Sequence, residues 1–409
     1  MSLSTKSLLL PAVIAAALLS GREACATGTS GRPGFSFGAY RASVTNTDNL
    51  SDLFLVDNGH PGYGLQMNYN TRPGGKFDAY NEILNYPVFG LGINYDVYSR
   101  MGFTNNTCLG NFVDLYAFME ASLYKNSWFS AGLLLDLGLS LTNVTYDPFS
   151  NPYMYNIGAP VTVYMAFGPQ FKLRPTQNVE LLLNAYWFHH SNGNAWMPNF
   201  GLNDVALGLG LRYSPDAPYT EQVRGLKVPH LFRRGFEYDV YASTGFHSCK
   251  TEFKAYNQMV ENPSDKKNDF VSHPRAGLGF DVRYRYSLMC SSGVVADAVY
   301  NWGVDELEKC DEIIYGKEEA EKKGKGYSPV NVSLGLMQVF HYGNMSVFCT
   351  FCGYVFRKVG IYEDQARFFQ RAGMRFHIPK LSNMFLGCCI RATKFSNADY
   401  FEFQVGLKI

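Results

Sequence analysis

Residues 186–204 read Tyr-Trp-Phe-His-His-Ser-Asn-Gly-Asn-Ala-Trp-Met-Pro-Asn-Phe-Gly-Leu-Asn-Asp. An imidazole can take the proton of a nearby serine hydroxyl, and a third polar group on its other nitrogen can fix the tautomer. The chemistry this permits is nucleophilic attack on an acyl carbonyl. His189 and Ser191 lie two apart, so on a strand they share a face. That face is otherwise Val179, Leu181, Leu183, Ala185 and Trp187. Asn203 heads a second alternating run, followed on its face by Val205, Leu207, Leu209, Leu211 and Tyr213. With 192–200 as the loop of a symmetric hairpin, Ser191 opposes Gly201 and His189 opposes Asn203, with Cβ atoms about 5 Å apart. Parity alone leaves two readings open. The three groups are either a polar strand end at headgroup level or a functional constellation, since polar groups facing hydrocarbon are costly. His190 and Asp204 fall on the inward face and rank behind.

The other reactive residue types form no such pattern. Cys349-x-x-Cys352 has metal half-site spacing but sits in a strand-like run, where i and i+3 point to opposite faces. Small apolar wall residues are the better reading. His60, His230, His247, His273, His341 and His377 show no ligand spacing, and there is no glycine-rich phosphate loop. No metal or cofactor is therefore expected. Lys394-Phe-Ser396-Asn397 echoes the hairpin with Lys in place of His and no matching return, and reads as non-catalytic.

The elements that must position the triad are strands. Phe89, Leu91, Ile93, Tyr95 and Val97 alternate with Gly90, Gly92, Asn94 and Asp96. The same grammar recurs in 161–168, 278–285 and 330–336, and the chain ends on Phe401, Phe403, Val405, Leu407 and Ile409 facing one way. Sixteen strand candidates follow, from 34–44 to 398–409, with an even count of 14 to 16 as the working range. Such alternation also suits a soluble sandwich. The export signal, the terminal amphipathic strand, and Gly and charge on the alternate face favour a transmembrane antiparallel β-barrel. Pro87-Val-Phe-Gly-Leu-Gly-Ile resembles Pro274-Arg-Ala-Gly-Leu-Gly-Phe, which suggests two barrel-like halves, 27–213 and 235–409, joined by a linker at 214–234. One large barrel is nevertheless favoured, because only one closing-strand signature is evident. Residues 303–327, dense in Glu and Lys, read as a solvated loop.

Composition agrees. Of 409 residues 46% are hydrophobic, 15% aromatic and 17% charged, with 36 Lys plus Arg against 35 Asp plus Glu. That balance offers no basic face for nucleic acid. Lys6, the apolar run Leu8–Leu19 and Ala24-Cys25-Ala26 read as a signal peptide, residues 1–26. Removing its Lys6, Arg22 and Glu23 leaves 34 basic and 34 acidic residues.

His189-x-Ser191-Asn192, followed by Pro198-Asn199-x-Gly201-x-Asn203 and an alternating strand, resembles the active-site hairpin of the PagL family, the outer-membrane lipid A 3-O-deacylases. Longer relatives are labelled acyloxyacyl hydrolase-like. The motif resemblance covers about 178–213 and a looser barrel resemblance about 35–213. The ending from Phe395 to Phe403 is similar to the closing strand of the longer relatives. The resemblance implies a carboxylic ester hydrolase of the outer membrane with Ser191 as nucleophile and His189 as general base. Asn192 and the backbone N–H of Gly193 would stabilise the oxyanion. The implied partner is lipid A within lipopolysaccharide; a homo-oligomer stays open. The position of Asn203 is a Glu in the best-known members, so here the third group lacks a charge. A porin, adhesin or structural barrel with a degenerate site is the alternative.

Overall fold

The computed structural model describes residues 32–45, 55–71, 78–103, 107–215, 232–267, 270, 272–324, 326–361, 366–395 and 397–409. The signal peptide and most of the expected linker lie outside these residues. The alternating segments form β1 (Gly34–Val44), β2 (Leu55–Asp57), β3 (Gly59–Asn70), β4 (Val88–Asp96), β5 (Gly102–Phe103), β6 (Phe112–Lys125), β7 (Phe129–Thr142), β8 (Val161–Leu173), β9 (Val179–Ser191) and β10 (Leu202–Tyr213). In the second half they form β11 (Gly235–His247), β12 (His273–Arg285), β13 (Cys290–Asn301), β14 (Val330–Tyr342), β15 (Met345–Phe356), β16 (Phe368–Ile378), β17 (Met384–Thr393) and β18 (Asn397–Lys408). No helix among the described residues is long and apolar enough to cross a membrane.

The strands close into two separate antiparallel rings of eight, and the chain divides into two compact units accordingly. In the first ring β1 pairs with both β10 and β3; in the second β11 pairs with both β12 and β18. The expectation of a single large barrel is thereby corrected, in favour of an eight-stranded barrel followed by a second. The physical reason is that closure is set by which strands pair, not by strand count. β10 carries the same out–in alternation as β18 and closes the first ring without standing at a chain end. β2 and β5 form a small two-stranded sheet outside the rings.

An eight-stranded barrel leaves an interior just wide enough for side chains, and both interiors are filled. In the first, at the end away from the β9–β10 turn, Glu120 accepts bonds from Lys172 at 2.5 Å and from Arg212 at 2.5 and 2.7 Å. Mid-barrel lie Tyr116, Phe118, Tyr164 and Phe188. Glycine makes room for these rings: a Cβ on Gly92 would sit 2.4 Å from Tyr116 Cζ. In the second, buried Arg283, Arg371, Arg375 and Arg391 interleave with Asp239, Asp281, Asp297 and Glu402. The outer faces are apolar; Leu207, Leu209, Leu278 and Leu336 are all about two-thirds exposed. An apolar surface running right round a barrel is stable against lipid rather than water.

Residues 303–327 are more ordered than the expected solvated loop. They hold helices Val304–Tyr315 and Lys317–Lys323. Val304, Leu307, Cys310 and Asp311 recur on one buried face, and Leu307 packs with Cys249 and Val359. Asp305 and Glu306 in the first turn suit the positive end of the helix dipole. Cys349 is exposed and Cys352 buried, the opposite faces expected of them, and the cysteines at 108, 249, 290, 310, 349, 352, 388 and 389 are free thiols.

Candidate active site

The β9–β10 ladder sets His189 directly opposite Asn203, the expected register. Ser191, the last residue of β9, pairs across its other edge with Val163 of β8. On β9 the even residues Glu180, Leu182, Asn184, Phe188 and His190 are buried in the lumen, while the odd ones look outward. His189 is therefore on the outer face, and Asn203, half-buried, is on the outer face of β10. Ser191 is buried at the loop end of the strand.

These three side chains form one chain of hydrogen bonds. His189 Nδ1 lies 2.6 Å from Asn203 Oδ1, and His189 Nε2 lies 2.8 Å from Ser191 Oγ. The amide oxygen can only accept, so Nδ1 carries the proton and donates it. Nε2 is then the bare nitrogen that accepts from the Ser191 hydroxyl. That is the protonation pattern a general base needs before it activates a hydroxyl. The Trp187 indole stacks parallel to the imidazole, with centroids 5.7 Å apart and planes 6° apart. It restricts ring rotation without competing for either nitrogen.

The loop is built to hold this geometry. Gly201 has φ +73°, and a Cβ there would lie 2.8 Å from His189 Cε1. The residue must be glycine both for the left-handed backbone and for the approach of the imidazole. Asn156 binds Gly201 twice: its Nδ2 donates to the Gly201 carbonyl at 2.6 Å, and its carbonyl accepts from the Gly201 N–H at 3.0 Å. The backbone N–H and hydroxyl of Thr45 both donate to the Asn203 carbonyl, at 2.8 and 3.2 Å. In the turn itself Asn192 donates its backbone N–H to Asn199 Oδ1 at 2.8 Å and one Nδ2 hydrogen to the Trp196 carbonyl at 2.8 Å. The second Nδ2 hydrogen is the one the turn leaves it. Gly193 takes φ +62°.

Asn156 and Thr45 escape sequence reasoning. Asn156 is 45 residues from the glycine it holds, and nothing in its own neighbourhood marks it. Parity places Trp187 on the predicted face at i−2 from His189, and only its stacking on the imidazole goes unread. His190 and Asp204 are inside the barrel, as expected, but they are not idle: His190 Nε2 lies 3.1 Å from Asp114 Oδ1, and Asp204 accepts from Tyr98 at 2.7 Å. Lys394 lies in a turn with φ +51°; Ser396 is outside the described residues.

Fold and site together define a membrane-type β-barrel protein with an outward-facing Ser–His–Asn hairpin. Residues 236–409, the second barrel, match the family model described as acyloxyacyl hydrolase, C-terminal domain. The second barrel thus resembles that C-terminal domain, while the Ser–His–Asn hairpin stands on the first barrel, outside the matched residues. No curated protein matches it. Among solved structures it is similar to Pseudomonas aeruginosa OccK11 (OpdR), at 10% identity over 94% of this chain and 97% of that one, TM-score 0.21. Acinetobacter baumannii OccAB1 matches at 10% identity over 94% and 95%, TM-score 0.23. The siderophore receptor PirA from Pseudomonas aeruginosa matches at 7% identity over 93% and 81%, TM-score 0.22. Superposition at that level carries no weight for the fold, which rests on the strand ladders.

Proposed function

We propose that this protein is an outer-membrane serine esterase that removes an ester-linked acyl chain from lipid A. The observation that carries the reading is the Ser191–His189–Asn203 relay on the outer face of a barrel wall. A substrate that stays in the outer leaflet meets such a site without leaving the bilayer. Ser191 Oγ attacks the ester carbonyl while its proton passes to His189 Nε2. The same nitrogen then protonates the departing alkoxide, leaving an acyl-Ser191. A water molecule gives its proton to Nε2, attacks the acyl carbonyl and releases the fatty acid, and Nε2 returns the proton to Ser191. The carbonyl oxygen turns negative at each tetrahedral stage; the backbone N–H of Gly193 and the second amide hydrogen of Asn192 are the donors proposed for it. No step calls for a cofactor.

Mass spectrometry of lipid A from a Gram-negative host expressing the wild type or Ser191→Ala tests the reading. Loss of one acyl chain with the wild type alone is expected. An unchanged spectrum from a folded, surface-localised barrel would sink it.

One observation favours a second reading, a non-enzymatic barrel with a degenerate site: the third member is neutral Asn203. A fluorophosphonate probe separates the two. Labelling that disappears in Ser191→Ala excludes the non-enzymatic reading, whereas no labelling of the folded wild type favours it. Filled lumens speak against a porin in particular, since a porin needs an aqueous channel.

A further inference from the structure

The first barrel holds a second constellation, on the inner face of the strand that carries His189. Asp96 on β4, Asp114 on β6 and His190 on β9 are each fully buried, and one donor atom from each lies within 4.8 Å of the others. Two strands, β7 and β8, separate β6 from β9 around the wall, so the cluster reaches across the lumen. Asp96 Oδ1 accepts from Tyr40 at 2.7 Å, yet Asp96 Oδ2, Asp114 Oδ2 and His190 Nδ1 have no hydrogen-bond partner among the described residues. A buried polar atom without a partner is costly, more so when charged, and here three such atoms belong to one cluster.

Charge makes the same point. The neighbouring Asp204 has both oxygens engaged, one 3.2 Å from His60 Nε2 and one accepting from Tyr98. Among the described residues no Lys or Arg bonds or pairs with Asp96, Asp114 or Asp204. The other end of the same lumen is different, because Glu120 and Glu180 there are matched by Lys172, Arg174 and Arg212. Two facing carboxylates in a buried space with no basic side chain beside them are a setting that a cation would match in charge. An imidazole beside them adds the donor that tilts the choice toward a metal of intermediate softness. One nitrogen with carboxylate oxygens suits Mn2+ or Zn2+, whereas Ca2+ takes an all-oxygen shell.

We infer that Asp96, Asp114 and His190 form a divalent transition-metal site in the lumen of the first barrel. The ion would tie β4 and β6 to the inner face of β9. Beside the ligands His60 bonds Asp204 through Nε2 at 3.2 Å, and its Nδ1 lies 3.7 Å from Asp96 Oδ1. The site lies on the opposite face of β9 from the triad and stands whether or not the outer face is an esterase. Sequence spacing could not reveal it, because its ligands come from three strands that meet only when the ring closes.

Mn2+ is the probe, since it is visible by electron paramagnetic resonance and thiolates, of which this chain could supply several, bind it weakly. The mature chain is refolded into detergent with Mn2+ and freed of loose ion by gel filtration. We expect about one Mn2+ per chain, as a buried site loaded during folding would retain. A 14N modulation of the Mn2+ spin echo from the His190 imidazole is expected with it. His190→Gln should abolish the 14N modulation, and Asp96→Asn with Asp114→Asn should abolish retention. Heat-modifiable migration in gels checks that each variant has folded. Folded wild type that elutes without Mn2+ overturns the site and favours a shared proton. So does bound Mn2+ with no 14N modulation, or with a modulation that survives His190→Gln. The wild-type arm decides even where a variant does not fold.

Discussion

At Asn203 a carboxylate-assisted relay loses one charge and keeps its geometry. The amide oxygen sits 2.6 Å from His189 Nδ1 and fixes the tautomer as a carboxylate would, but it offers nothing extra to the imidazolium that the proposed attack would form. A hydrogen bond to a charged group is worth about 1.4 kcal/mol more than a neutral one, roughly tenfold in rate. Asn203→Glu should therefore raise kcat about tenfold. Asn203→Ala should lower it about a hundredfold, since the ring then lacks its orienting partner. Hydrolysis of a short-chain ester by the purified barrel measures both. The Thr45 bonds go to the main-chain carbonyl of Asn203 and survive either change. Wild-type kcat in a folded Asn203→Ala protein would remove Asn203 from the relay.

At the scale of the element, the hairpin depends on a loop from elsewhere in the first barrel. Asn156 is fully buried, and its side chain satisfies the Gly201 carbonyl. Asn156→Ala removes that hydrogen bond at a cost of about 1 kcal/mol. Because Gly201 abuts His189, kcat should drop while KM barely moves; a change confined to KM would place Asn156 in substrate binding instead. A second element is held by charge. The helix Lys250–Phe253 carries Glu252, whose carboxylate pairs with Lys267 and faces His273 at 3.8 Å. Burial pushes this carboxyl up, but Lys267 and His273 prevail and hold it below the ordinary glutamate value. A depressed carboxyl stabilises the fold above its unfolded pKa, and the contribution vanishes as pH falls through the folded value. Hydrogen exchange over 250–267 should thus accelerate, beyond its intrinsic pH dependence, as pH drops below about 4. Glu252→Gln should exchange fast already at neutral pH. An acid profile identical in the two proteins would show that the pair does not hold this loop.

For the whole molecule, the two lumens use different glue. The first is layered, with aromatics between an ion-paired end and an acidic end. The second is cross-braced by arginines. Arg375 bonds Asp281 at 2.7 Å, Asp239 at 2.9 Å and Gln404 at 3.0 Å, and it packs on the rings of Tyr241, Phe348 and Phe385. Arg283 shares both carboxylates. Arg375→Met keeps the bulk and removes the charge, so one guanidinium must serve two buried carboxylates. The loss should be about 3–5 kcal/mol, the cost of breaking a buried pair. Urea unfolding of the detergent-folded protein reads it as a lower midpoint at unchanged slope. A shift under about 1 kcal/mol would mean that lumen water, not the arginine, neutralises these groups.

The sequence by itself determined the local and periodic features. Sixteen alternating runs became the sixteen wall strands, because one wet and one greasy face demand period two. The same parity put His189 and Asn203 on the outer face, and a short loop between two strands set their register. It could not say where a ring closes. β10 and β18 look alike as sequence, and only the pairing of β1 with both β3 and β10 separates one barrel of sixteen from two of eight. Nor could it find Asn156 beneath Gly201, the helices among the Glu and Lys of 303–327, or His190 beside Asp96 and Asp114. Those contacts join residues far apart along the chain. Alternation records which way a side chain points, whereas what it meets there depends on which strand curves round to face it.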